Sequence, residues 1–87
     1  MAATFNFKVL TPNRSEIDDV VVSIVAPGTD GYLGVMANHA PLITTLRAGD
    51  LKIRYEGDRD VHYAIGDGIL KVENNVATLL TESIEPA

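Results

Sequence analysis

Cysteine and tryptophan are absent from this 87-residue chain, and three tyrosines and two phenylalanines are its only benzene-type rings. Without cysteine there can be no disulfide and no thiolate metal site, and nothing points to an oxidising compartment. So few rings poorly equip a sugar-stacking surface. Basic residues are scarce too: seven Lys and Arg against twelve Asp and Glu leave a net charge of −5. Nucleic acid and anionic membrane both require the opposite balance in a direct partner. No apolar run approaches the ~18–20 residues of a membrane span. Met1 to Lys8 lacks the charged and then apolar build of a secretory signal. The expectation is a soluble, cytoplasmic protein that reaches a membrane only through another protein. Sustained helical spacing is also missing. The nearest stretch, Met36 to Arg47, contains Pro41, and a proline inside a helix costs ~3 kcal/mol. A single domain of this length buries only about 60–65% of its unfolded surface, which leaves little room for an enclosed active site.

What is present is alternation with period two. Phe5, Phe7 and Val9 alternate with polar neighbours, as do Leu51, Ile53 and Tyr55, then Val61, Tyr63 and Ile65, then Leu70 and Val72. Each reads as a strand with one face in a core and one in water. Turn residues punctuate these runs at Thr11–Arg14, Pro27–Gly31, Glu56–Asp58, Gly66–Gly68 and Glu73–Asn75. Gly, Asn and Asp suit hairpins because they tolerate positive φ. A turn every 8–12 residues or so predicts an all-β flattened sandwich or barrel. About eight strands can be counted. The run Val20–Ala26, apolar on both faces, reads as one strand that either packs on both sides or turns Val21 and Val25 towards a partner. Ile69 raises the same question, because it shares the outward phase of Lys71 and Glu73.

Few residues offer chemistry. Gly28, Gly31 and Gly34 have neither the following helix nor the lysine that a phosphate loop needs; they read as turn glycines. His39 and His62 lack a third metal ligand, and Ser15, Ser23 and Ser83 show no strained nucleophile context. Asp58, Arg59 and Asp60 with Lys52 and Arg54 read as a solvated hairpin face. Asp18 and Asp19 are adjacent in a strand and so point to opposite faces. No catalytic residue, cofactor site or metal site is assigned.

The segment Gly28-Thr29-Asp30-Gly31-Tyr32-Leu33-Gly34-Val35, followed by Asn38-His39-Ala40-Pro41-Leu42-Ile43-Thr44, resembles the signature of the ε subunits of F-type ATP synthases. Val9–Arg14, Leu46–Arg54 and Gly66–Val72 match the same family in the expected order. The resemblance spans essentially the whole chain. It implies a β-sandwich of about ten strands in two roughly five-stranded sheets. It also implies a non-catalytic rotor subunit that links the γ subunit to the ring of c subunits, touches the αβ headpiece only indirectly, and needs no cofactor. The implied location is peripheral to a bacterial cell inner membrane, on the cytoplasmic side. Thr11, His39 and Thr44 match positions facing γ. Gly28, Thr29, Asp30, Gly31 and Tyr32 match the loop facing the c ring, although Tyr32 stands where many relatives place an acidic or polar residue. Family members usually continue into a pair of C-terminal helices. This sequence stops at Ala87, where they would begin, so residues 1–87 are expected to form one domain, and the helical arm with its ATP site is not carried over. The competing expectation is a free-standing β-sandwich that binds a ligand.

Overall fold

The computed structural model describes residues 2–87. Ten strands account for the fold: β1 Phe5–Leu10, β2 Ser15–Val21, β3 Ser23–Gly28, β4 Gly31–Met36, β5 Leu42–Leu46, β6 Gly49–Tyr55, β7 Arg59–Ile65, β8 Gly68–Glu73, β9 Val76–Thr81 and β10 Ile84–Pro86. Their hydrogen-bonded order is β10-β7-β6-β3-β5-β8-β9-β1-β2, with β4 on the other side of β3. The path narrows at one place, where β3 meets β5 through the single pair Gly28–Leu46. That corner separates two five-stranded layers, β4-β3-β6-β7-β10 and β5-β8-β9-β1-β2, as expected. Apart from β1 beside β9, every pair is antiparallel.

The period-two runs decide what lies between the layers. Phe7, Val9, Ile24, Leu51, Ile53, Leu70 and Leu79 are fully buried, while the residues between them face outwards. Fully burying one such side chain contributes about 1.5–3 kcal/mol. The turns use the residues that allow them. Asn74 and Asn75 both take positive φ (52° and 61°) in the two-residue β8–β9 turn, and Gly57 (84°) and Asp58 (58°) do so between β6 and β7.

The apolar run Val20–Ala26 is not one strand. The chain bends at Val22, whose N–H donates to the carbonyl of Arg54 at 2.8 Å. The run divides between β2 in one layer and β3 in the other. The inward phase switches there, from Ile17 and Val21 to Ile24 and Ala26. The switch places Val21, Ile24 and Ala26 in the core, while Val20, which is 54% exposed, and Val25 remain apolar on the outer face. Val21 is fully buried in the core and so does not face a partner; Val25 is half-buried on the outer face. The ten strands exceed the eight expected; among them, this run is two strands and β10 has only three residues.

A polar contact joins the layers where β2 passes β6. Asp19 lies in the inward phase between Ile17 and Val21, at the open edge of its sheet. The Tyr55 hydroxyl donates to its Oδ2 at 2.6 Å. Partial burial, followed by that bond, pushes the Tyr55 phenol well above its ordinary value.

Candidate functional site

The strands end in two sets of loops at opposite ends of the sandwich. One set holds the β4–β5 loop with His39 and the β8–β9 turn. The other holds the β1–β2 turn with Thr11, the β3–β4 hairpin, and the β7–β8 and β9–β10 connections.

The β3–β4 hairpin is built from its glycines. Gly28 pairs with Gly31 across the two-residue turn Thr29-Asp30. Gly31 has φ +130°, which side-chain-bearing residues rarely adopt. A Cβ on Gly28 would lie 2.7 Å from the Gly31 carbonyl oxygen and 2.9 Å from Leu33 Cδ2. Gly28 is therefore a buried support, and Thr29, Asp30, Gly31 and Tyr32 form the exposed tip. Thr29 is tied to β5: its N–H donates to the Thr45 carbonyl at 3.2 Å, and the two hydroxyls meet at 3.0 Å. Tyr32 is 58% exposed, with its hydroxyl beside Gly49 and away from the core. The result is a stiff finger carrying one carboxylate and one amphipathic ring.

Thr11, His39 and Thr44 do not converge. Thr11 stands at the hairpin end, where its hydroxyl lies 3.3 Å from the Arg14 carbonyl and 3.2 Å from Glu16 Oε2. The Arg14 guanidinium, 3.0 Å from Glu16, holds that carboxyl below its ordinary range. His39 is exposed at the far end. Its Nδ1 lies 2.7 Å from the Ala40 carbonyl, so this nitrogen donates. The loop itself is held by Asn38 N–H donating to Asn75 Oδ1 at 2.8 Å, and Asn75 Nδ2 donating to the Thr4 carbonyl at 3.0 Å. Thr44 is half-buried in the inward phase, on the cross-strand row Val9–Leu79–Leu70–Thr44. Its neighbour Thr45 points outwards.

The structure adds an apolar surface that connects Thr11 with the hairpin. The outer row Leu10–Leu80–Ile69–Thr45 crosses four strands. Ile69 is 44% exposed and Leu80 47%. With Thr11 and Pro12 they line an open groove of about 350 Å³. Its floor depends on Gly68, because a Cβ there would collide with the Leu80 carbonyl oxygen. The outward phase of Ile69 was the signal in the sequence; what completes the groove is Leu80, brought alongside by the β8–β9 pairing. The buried Thr81 hydroxyl at the groove end is within hydrogen-bonding distance of the carbonyls of Gly66, Asp67 and Ser83.

Several charged groups elsewhere are paired at the surface. Arg54 holds Asp60 through two bonds, Nε–Oδ1 at 2.8 Å and Nη2–Oδ2 at 3.0 Å, and this hydrogen bonding lowers the Asp60 carboxyl below its ordinary value. Arg59 lies over the Tyr55 ring at 4.3 Å. His62 and Asp50 approach to 3.0 Å. Among the described residues, no three His, Cys, Asp or Glu are placed to hold a metal ion, and no helix is long and apolar enough to cross a membrane.

Known proteins resemble the chain along its whole length. The ATP synthase epsilon chains of Sinorhizobium medicae and Pelotomaculum thermopropionicum are each 39% identical to it, over 83 and 84 residues. Those alignments take in 95% and 97% of this chain but 62% of each relative, so the chain spans less than two thirds of their length. In the mitochondrial ATP synthase of Euglena gracilis, solved with its OSCP, F1 and c-ring, one chain superposes with a TM-score of 0.92 at 24% identity, over 99% of this chain and 55% of that one. A chain of the Tetrahymena thermophila central stalk and c-ring gives a TM-score of 0.82 at 15% identity, over 98% and 68%. At these identities the superpositions establish the fold. The family model for the β-sandwich domain of the ATP synthase delta/epsilon chain matches residues 4–87, and the chain belongs to that family.

Proposed function

We propose that the chain is a non-catalytic central-stalk subunit of an F-type ATP synthase, peripheral to a bacterial inner membrane on its cytoplasmic side. There it joins the γ subunit to the c ring and supports the coupling of proton translocation to ATP synthesis. The observation that carries this reading is the family match, which runs through both layers and both loop ends. The geometry is what a coupling element needs. The polar finger Thr29–Tyr32 suits the exposed polar loops of a ring. The groove at Leu10, Ile69 and Leu80, with Thr11 at its rim, suits an apolar side chain of γ. His39 would extend the γ contact to the far end of the sandwich, and Thr44 would act by setting the position of β5. A close-packed core lets a push on one surface reach the other with little compliance.

Site-directed cross-linking in the assembled synthase tests this. Cysteine at Asp30 or Tyr32 should cross-link to c, and cysteine at Thr11 or Ile69 to γ. Reaction of both pairs with the same subunit would refute the two-surface arrangement.

A further inference from the structure

A strand at the border of a sheet leaves a row of N–H and C=O groups unpaired, and proteins guard such rows with charge, proline or brevity. β2 carries Glu16, Asp18 and Asp19. β10 has three residues, two of them Glu85 and Pro86. β4 reads Gly-Tyr-Leu-Gly-Val-Met, six residues without a charge or a proline. Because Gly28 and Gly31 close the hairpin as a bonded pair, Leu33 and Val35 also turn their backbone groups towards β3. The backbone groups of Tyr32, Gly34 and Met36 therefore face away from the sheet. Of these, the Met36 carbonyl accepts from His39 N–H at 3.3 Å. All three residues are exposed, Tyr32 by 58% and Met36 by 64%.

We propose that this edge pairs with the same edge of a second copy of the chain, β4 against β4, antiparallel about a two-fold axis at Gly34. The register is self-complementary. Gly34 faces Gly34, and Tyr32 faces Met36 on both sides of the axis, an aromatic ring opposite a thioether. The backbones approach freely on the axis, since a Cβ on Gly34 would have only the Ile24 carbonyl oxygen near it, at 3.9 Å. No like charges are brought together, because Asp30 runs towards Ala37–Pro41 of the second copy, a segment without an acidic residue. Pairing β2 with β2 would oppose carboxylates instead. A single strand pair covers less than the ~800 Å² per partner of a typical stable complex, and each copy carries a net charge of −5. The association is therefore weak, dependent on concentration, and strengthened by salt. It uses Tyr32, so a paired copy cannot offer that ring to another partner. The inference stands independently of the proposed role.

Sedimentation of the chain from ~10 μM to ~1 mM, the range open to so small a contact, should show monomer converting to dimer. Amide exchange at Tyr32, Gly34 and Met36 should slow at least severalfold as concentration rises. A monomer throughout, or a dimer whose three amides exchange as in the monomer, would overturn the proposal. Gly34→Lys and Gly34→Glu should each remain monomeric with a melting temperature no lower than that of the parent chain, and an equimolar mixture should recover the dimer. Dimerisation of either variant alone at the original strength would exclude this register.

Discussion

Alanine placed in turn at Gly28, Gly31 and Gly34 should give three different results, although the glycines are evenly spaced in the sequence. At Gly28 the new methyl would lie 2.7 Å from a backbone oxygen and 2.9 Å from Leu33 Cδ2. The oxygen belongs to the hairpin partner and cannot move without opening the Gly28–Gly31 pair. Overpacking of this kind costs about 1–3 kcal/mol. At Gly31 there is open space, but φ is +130°; the cost is backbone strain, also of order 1–3 kcal/mol. At Gly34 the nearest atom is 3.9 Å away and φ is outside the positive range. Alanine there restricts mainly the unfolded chain and should stabilise by about 0.4–1 kcal/mol. Each kcal/mol moves the melting temperature of a domain this size by about 4–8 °C, so calorimetry and urea titration can both resolve the series. Equal losses at Gly28 and Gly34 would refute the packing argument. A neutral change at Gly31 would refute the strain argument.

Tyr55→Phe removes the bond to Asp19 and should cost about 0.5–1.5 kcal/mol at neutral pH, measured by urea titration. Because the folded state raises the Tyr55 pKa, its contribution is fully present below ~10, the ordinary tyrosine value, and is lost as pH rises further; the wild type should lose stability above that pH more steeply than the variant. Asp60 has the opposite sign: Arg54 lowers its pKa, so its contribution is present above the ordinary carboxylate range and lost on acidification, and Asp60→Asn should flatten that part of a pH titration of stability. His39→Ala should leave the melting temperature nearly unchanged, since the ring bonds only the adjacent carbonyl. If His39 anchors γ, affinity measured by calorimetry should fall about 5- to 30-fold, and an unchanged affinity would remove His39 from that contact.

Much of the architecture was legible in the sequence because sheet burial has period two. Phe5-Phe7-Val9 and Leu51-Ile53 needed no tertiary information to be assigned to the core. The hairpins were legible for a similar local reason: Asn74, Asn75, Gly57 and Asp58 permit positive φ, and the structure uses them so. Val20–Ala26 misled because a bend at Val22 reverses the inward phase, and the partner of that bend, Arg54, lies 32 residues away. β4 was hidden by its two glycines, which weaken any propensity signal for a strand.

The sequence by itself determined the all-β class, the alternating core, most of the hairpin turns and the family, because each rests on neighbouring residues or on a local motif; Gly34, read as a turn glycine, instead lies within β4. The tertiary structure alone decided which outward residues meet. Leu10, Ile69 and Leu80 come from three segments, and only the β8–β9 and β1–β9 pairings join them into a groove. Thr11 and His39, both matched to γ, are placed at opposite ends because the strands that carry them end there. Pairing also left β4 as a six-residue edge without charge or proline. A residue's neighbours along the chain specify its own conformation and phase; which distant strand lies beside it is a non-local outcome of packing the whole core.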